Sequence, residues 1–323
     1  MPVKTSARPR PPLRLGLLGT GSHCRREHLP ALRAYCRQHP SAVTLQAVCD
    51  LDEAAAREVA GDLGFAAVYT DMDAMLAREN LDAVIAVTPV AATAAVAKRI
   101  MREGIPLLME KPLGTSLAEA RSVVETYDRK KCPVMVGLNR RFDPVLVEAS
   151  AWVHGRDIRS FLVRLHRVDR TEKGFIADVL PHPLDFLSSV LGPLSLESLF
   201  PHGGGMGASF SCVLRAGSTV SGILECLPHT AAWRERYAFS GPGFHVEADS
   251  LCRCEAKAAG EEAFHYERPP GVEGGATYGE TRAFLEGVRT GNLGGPDPAE
   301  VLHSMEVARS IEERLYGSHP STA

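Results

Sequence analysis

Ile105-Pro106-Leu107-Leu108-Met109-Glu110-Lys111-Pro112 is an apolar run that ends abruptly in two charges and a proline. A short apolar run bounded by turn residues reads as a strand buried on both faces, as in a parallel sheet. Ligands of open parallel sheets bind just beyond the carboxyl ends of such strands. Lys111 is then a cation delivered to the expected ligand crevice, its backbone restrained by Pro112. Taken alone, the tripeptide is a surface lysine at a strand end. The surrounding pattern changes that reading.

Upstream, strands and helices alternate. Strands are expected at Leu13 to Leu18, Val43 to Cys49, Ala67 to Tyr69, Ala83 to Val87, Ile105 to Met109 and Val134 to Val136. Helical periodicity separates them through about Arg37 and at 52–62, 72–79, 91–103 and 117–130. Gly104 suits a helix C-terminus, and Ser116 with Glu119 has capping-box spacing. Such alternation implies a doubly wound parallel sheet, a Rossmann domain over residues 13–137.

The first strand runs into Gly19-Thr20-Gly21-Ser22 and then a helix. Glycines there permit a tight turn and close backbone approach, and the helix N-terminus offers N–H donors to a pyrophosphate. The third glycine of the dinucleotide fingerprint is replaced by Cys24. Asp50 closes the second strand, where a carboxylate can bind both ribose hydroxyls of NAD. Asp50 would equally serve as a helix N-cap. The neighbour Leu51 favours NAD, while Arg25 and Arg26 keep NADP open.

After Gly137 the alternation stops. A helix near Val145 to Val153 and a long strand near Ile158 to Val168 precede a region of strands from Leu194 to about Tyr266. Ser209 to Arg215 and Thr219 to Cys226 alternate partly, as in an antiparallel sheet with one covered face. Two helices follow, one from near Tyr278 and one opened by Asp297-Pro298-Ala299-Glu300. Residues 138–323 therefore read as an α+β domain with a mostly antiparallel open sheet.

Within it, Asp178-Val179-Leu180-Pro181-His182-Pro183-Leu184-Asp185 concentrates ionisable groups before an apolar helix, Leu184 to Leu191. The prolines disfavour helical geometry in the residues before them, so Asp178 to His182 is expected to be irregular. Asp185 would complement the helix dipole from the first turn. Hydride transfer from an alcohol needs a base for the hydroxyl proton. Histidine suits that role, and a carboxylate beside it would fix its tautomer and raise its basicity. The plainer alternative makes Asp185 a cap and His182 a satisfied polar residue.

Composition narrows the function classes. The 323 residues suggest two domains, and 45% hydrophobic with 23% charged content describes an ordinary globular chain. A net charge of −3 gives no electrostatic case for nucleic acid or an anionic membrane. No apolar run approaches the ~20 residues needed to span a bilayer. The eight cysteines are scattered without zinc spacing, so no metal is expected, and reduced thiols point to the cytoplasm. Residues 1–12 read as a disordered tail.

Gly19-Thr20-Gly21, Asp50, Thr88-Pro89, Glu110-Lys111-Pro112 and Asp178-x-x-x-His182-x-x-Asp185 occur in the order seen in the Gfo/Idh/MocA oxidoreductases, which the chain resembles over nearly its whole length. The resemblance implies hydride transfer between nicotinamide and a secondary hydroxyl of a sugar, cyclitol or related ring. Cofactor contacts would come from Gly19, Thr20, Gly21, Ser22, His23, Asp50, Leu51, Thr88, Pro89, Glu110 and Lys111. Substrate would meet Lys111, Asn139, Asp178, His182 and Asp185, with Lys111, His182 and Asp178 catalytic. Arg140 and Arg141 match a domain-junction segment, and a structural ion pair is the favoured role for Arg141. A homo-oligomer, dimer or tetramer, is also implied. Departures are Cys24, His28 standing one place later than in many relatives, Thr93 in place of a common histidine, and Leu180 in place of a common glycine. Two other uses remain open: a redox-neutral cycle on bound NAD, leading to elimination or glycoside cleavage, and a non-catalytic dinucleotide sensor.

Overall fold

A computed structural model of the chain describes residues 11–317, apart from 171, 173, 204–208 and 251. The expected tail thus lies, apart from residues 11 and 12, outside the described residues, as does most of the glycine run after His202.

The first half contains six parallel strands: β1 (Leu13–Leu18), β2 (Val43–Cys49), β3 (Ala67–Tyr69), β4 (Ala83–Ala86), β5 (Leu107–Glu110) and β6 (Val134–Gly137). They lie in the order β3-β2-β1-β4-β5-β6. The order reverses between β1 and β4, the switch point at which such sheets open a ligand crevice. Helices α1 (Leu29–Gln38), α2 (Glu53–Leu63), α3 (Met72–Arg78), α4 (Val90–Glu103) and α5 (Leu117–Lys130) cover both faces. Strands β4 and β5 carry Val84, Ile85, Leu107, Leu108 and Met109 at no more than 1% exposure, which explains their unbroken apolar sequence.

Gly104 caps α4 at φ +73°. Ser116 accepts from Glu119 N–H at 3.2 Å, but Glu119 turns back to Thr115, one residue short of a full capping box. Asp50 is not a helix cap: Asp52 caps α2, accepting from Ala54 and Ala55 N–H.

The second half builds an eight-stranded sheet from β7 (Ser160–His166), β8 (Leu194–Pro201), β9 (Phe210–Ala216), β10 (Val220–Leu227), β11 (Arg234–Gly241), β12 (Phe244–Asp249), β13 (Arg253–Ala258) and β14 (Phe264–Glu267). Its order is β14-β13-β12-β11-β7-β10-β9-β8. Neighbours are antiparallel except β7 with β10, which run parallel. Burial alternates along β9 and β12, so one face carries the core beneath α6 (Pro144–Val153) and α8 (Pro181–Leu191).

The segment expected to be irregular is helical. Asp178 lies in a short α7 (Phe175–Val179), and His182 is the second residue of α8. Leu180 adopts helical angles despite Pro181 because its side chain is wholly buried in the second core, and that packing outweighs the local preference. Pro181 itself fits, since the first helical position has no N–H to satisfy.

The two closing helices return to the first sheet's layers. In α9 (Ala276–Thr290), Tyr278, Phe284 and Leu285 join Leu32 and Tyr35 of α1 in one core. Helix α10 (Pro298–Tyr316) has the expected capping box, Asp297 with Glu300. Its Val301 belongs to the core over β5 and β6, whereas Val307, Ala308 and Ile311 belong to the core of the second sheet. Among the described residues, no helix is long and apolar enough to cross a membrane.

Candidate active site

The β1–α1 turn has the shape a dinucleotide needs. Gly19 sits at φ +92°, and a Cβ there would lie 2.1 Å from the Val87 carbonyl oxygen, so only glycine fits. Gly21 faces open space, leaving room for a ligand against the backbone. Asp50 closes the turn: its Oδ2 accepts from Thr20 N–H at 2.6 Å and Thr20 Oγ1 at 2.8 Å, and its Oδ1 from Asp52 N–H at 3.0 Å. Burial opposes ionisation of Asp50, but these bonds outweigh it and hold the carboxyl below its usual range. Oδ1 keeps acceptor capacity for a ribose hydroxyl. Leu51 beside it is 93% exposed. Arg25 is committed elsewhere, to Thr20 O, Ala55 O and Glu58, and Arg26 pairs with Glu27. The donor set and the cradle fit a dinucleotide.

Between this turn and α1 the helix widens into a π-turn, Cys24–His28, closed by Leu29 N–H to Cys24 O. A π-turn takes up one extra residue. His28, one place late in sequence, thereby reaches Glu110, its Nε2 lying 2.7 Å from Oε1. His23 Nε2 lies 3.4 Å from the same oxygen. Burial disfavours the Glu110 carboxylate, but the two imidazoles hold its pKa well below the usual range. Cys24 is buried in the α1 core and fills the place of the missing third glycine.

Beyond the β5 end, Lys111 Nζ donates to Asp178 Oδ1 at 2.5 Å and to the Asp178 carbonyl at 3.0 Å. Arg170 donates to the other carboxylate oxygen at 2.7 Å. Burial works against this carboxylate, yet Lys111 and Arg170 keep it below its usual pKa. The Lys111–Asp178 pair thus joins the carboxyl end of β5 to α7. Thr88 and Pro89 follow β4, with Pro89 as the residue before α4 and Thr88 Oγ1 3.5 Å from Thr93 Oγ1.

His182 departs from expectation. Among the described residues no carboxylate bonds to its ring, and its buried Nδ1 has no partner. Burial first, then the positive charges of Arg140 and Lys111, push its pKa well below that of a free imidazole. Its basicity is lowered rather than raised, and it stays neutral at pH 7. Asp185 is taken instead by Arg141, whose Nε and Nη2 donate at 2.8 and 2.6 Å, and Arg141 also meets Glu300 of the α10 capping box. Asp185 is wholly buried, which pushes its pKa up to about 6 although Arg141 opposes the shift. With both oxygens so occupied, Asp185 joins α8 to the junction instead of facing a substrate.

Asn139 and Arg140 lie in a 3-10 turn, Asn139–Phe142. Arg140 donates to Asn139 Oδ1 at 2.7 Å and, through two nitrogens, to Glu235 at 2.6 and 3.0 Å. Glu235 also accepts from Arg167 at 2.5 Å and Tyr237 at 2.7 Å. This buried cluster was missed in sequence, although alternation along Arg234–Gly241 puts Glu235 on the same inward face as Tyr237 and Phe239. Glu280 was missed as well. It is 1% exposed, and burial with the nearby Glu110 charge raises its pKa well above the usual carboxylate range.

Residues 13–138 match the family model described as "Oxidoreductase family, NAD-binding Rossmann fold". Over 132 residues the chain is 34% identical to inositol 2-dehydrogenase of Rhizobium meliloti, covering 41% of this chain and 38% of that protein. The chain thus spans about two fifths of that relative's length in the matched region. Two solved structures share the fold nearly end to end. An oxidoreductase from Agrobacterium radiobacter in complex with NAD+, L-tartaric acid and magnesium superimposes with a TM-score of 0.79, at 16% identity over 95% of this chain and 97% of that one. A 3-ketoreductase from Actinomadura kijaniata in complex with NADP does so with a TM-score of 0.71, at 19% identity over 93% and 97%. Residues 13–138 thus match the Gfo/Idh/MocA oxidoreductase family model with its NAD-binding Rossmann fold, and the whole chain shares the fold of the two solved structures.

Proposed function

We propose that the protein is a nicotinamide-dependent dehydrogenase acting on a secondary hydroxyl of a sugar, cyclitol or related ring, with NAD preferred over NADP. The observation that carries this is the Lys111–Asp178 pair at the carboxyl end of β5, with the neutral His182 on the adjoining helix. Named relatives act on such substrates: inositol 2-dehydrogenase, D-apiose dehydrogenase and D-xylose 1-dehydrogenase (NADP(+)) 2.

Bound NAD would supply the hydride acceptor. Asp178 holds the Lys111 ammonium in place, and Lys111 donates a hydrogen bond to the reacting oxygen, stabilising the charge that develops on it. A neutral imidazole has a free lone pair, so His182 accepts the hydroxyl proton. Its lowered pKa keeps that lone pair available under mildly acidic conditions. Asp50 supports the NAD preference, because its ionised carboxylate accepts ribose hydroxyls and repels a 2′-phosphate.

Purified protein with NAD is to be offered a panel of sugars, amino sugars and cyclitols while reduced-nicotinamide absorbance is followed, with Lys111→Ala in parallel. Growth of the signal in wild type and its loss in the variant supports the reading. No signal with any compound, alongside turnover detected by product analysis, would replace it with a redox-neutral cycle. No turnover by either readout would favour a sensor.

A further inference from the structure

We propose that His23, His28 and Glu110 form a binding site for one divalent transition-metal ion of the zinc class. Their donor atoms converge: His28 Nε2 and His23 Nε2 lie 2.7 and 3.4 Å from Glu110 Oε1, and all three are within 4.8 Å of one another. Two imidazoles and one carboxylate are the donor set that holds zinc with a position left open for water or a ligand.

The backbone explains the convergence. On a regular α-helix, residues five apart point about 140° away from each other, at 3.6 residues per turn. The π-turn narrows that divergence, because its hydrogen bond from Leu29 N–H to Cys24 O spans five residues, the same spacing as His23 and His28. Both rings therefore face Glu110, and they pack edge to face with centroids 5.5 Å apart. A π-turn inside a helix is uncommon and tends to coincide with a working site.

The electrostatics also favour a cation. Glu110 is 12% exposed, and among the described residues no lysine or arginine pairs with it, since Lys111 turns to Asp178. A divalent ion would neutralise this carboxylate more completely than hydrogen bonds from imidazoles. Access is provided by His23, whose side chain is 47% exposed, while His28 at 3% forms the floor. The open coordination position would lie on the His23 side, next to the Gly19–Gly21 turn.

The test is titration of chelator-treated full-length protein with zinc by calorimetry, and with cobalt(II) by visible absorption. Wild type should bind one equivalent of zinc and give the intense absorption of low-coordinate cobalt. His23→Ala, at a half-exposed position, should melt like wild type yet bind zinc at least tenfold more weakly and lose the cobalt band. His28→Gln should lose both signals as well. Equal zinc affinity in wild type and His23→Ala would overturn the assignment, placing any bound ion at the exposed Cys252 or surface histidines. A weak octahedral cobalt spectrum in wild type would overturn it too.

Discussion

Glu235 offers the sharpest test of how the Asn139–Phe142 turn is held to the second sheet. Its carboxylate is fully buried between Arg140, at 16% side-chain exposure, and Arg167, at 5%, and receives a further bond from Tyr237. Glu235→Gln keeps the shape and removes the charge. Two guanidinium groups then face an amide that can accept only through one oxygen. Removing one partner of a buried pair costs about 3–5 kcal/mol. With two cations left behind, about 4–5 kcal/mol is expected. At a urea slope of about 3 kcal/mol/M, the unfolding midpoint should fall by about 1.3–1.7 M with an unchanged slope. Circular dichroism across a urea series measures this directly. A midpoint within about 0.3 M of wild type would refute the idea that Glu235 compensates both arginines. Arg57→Ala serves as a contrast: its pair with Glu53 has both side chains more than half exposed, so a change under about 0.5 kcal/mol is expected.

Other outcomes follow from the same geometry. Lys111→Ala should lower kcat/KM by about 100- to 1,000-fold, the usual loss for a donor aimed at developing charge, and Lys111→Arg should not restore it. The acid limb of the kcat/KM profile should fall well below pH 6.5, because burial and the charges of Arg140 and Lys111 depress His182. Activity is retained while the imidazole is neutral and lost as pH drops through its lowered pKa, so Lys111→Met, removing one of those charges, should move the limb upward in whatever activity remains. Gly19→Ala should abolish tight NAD binding, measured by fluorescence quenching, since its Cβ meets the Val87 carbonyl and φ is positive. Asp50→Ala should narrow the NAD-over-NADP ratio in the same assay, and an unchanged ratio would remove Asp50 from cofactor choice.

The parallel sheet was legible because its strands are buried on both faces, and apolar runs such as Leu107–Met109 carry no competing pattern. The Gly19 turn, the α10 capping box and the lysine at the β5 end were legible for a similar reason: each is a local rule obeyed locally. Where tertiary packing overruled local preference, the reading failed. Leu180 is helical before a proline because the core holds it, so Asp178 and His182 sit on two successive helices. The partner of Asp185 proved to be Arg141, 44 positions away, and the π-turn left no mark beyond the late His28. The parallel pairing of β7 with β10 has no sequence signature at all, because register between distant strands depends on which faces are buried together.

Helix α10 gives the chain a particular order of assembly. Arg121 on α5 meets Glu306 across 185 positions, and within the one helix Val301 and Ile311 complete different cores. A ribosome that has finished every strand of both sheets has therefore still not made the pieces that close either core. Until then, apolar surface over β5 and β6 stays open to water, chaperones or another nascent chain. Once α10 docks, a hinge opening between the sheets would have to tear one rigid rod from one side or the other. Unfolding of one half should therefore drag the other with it.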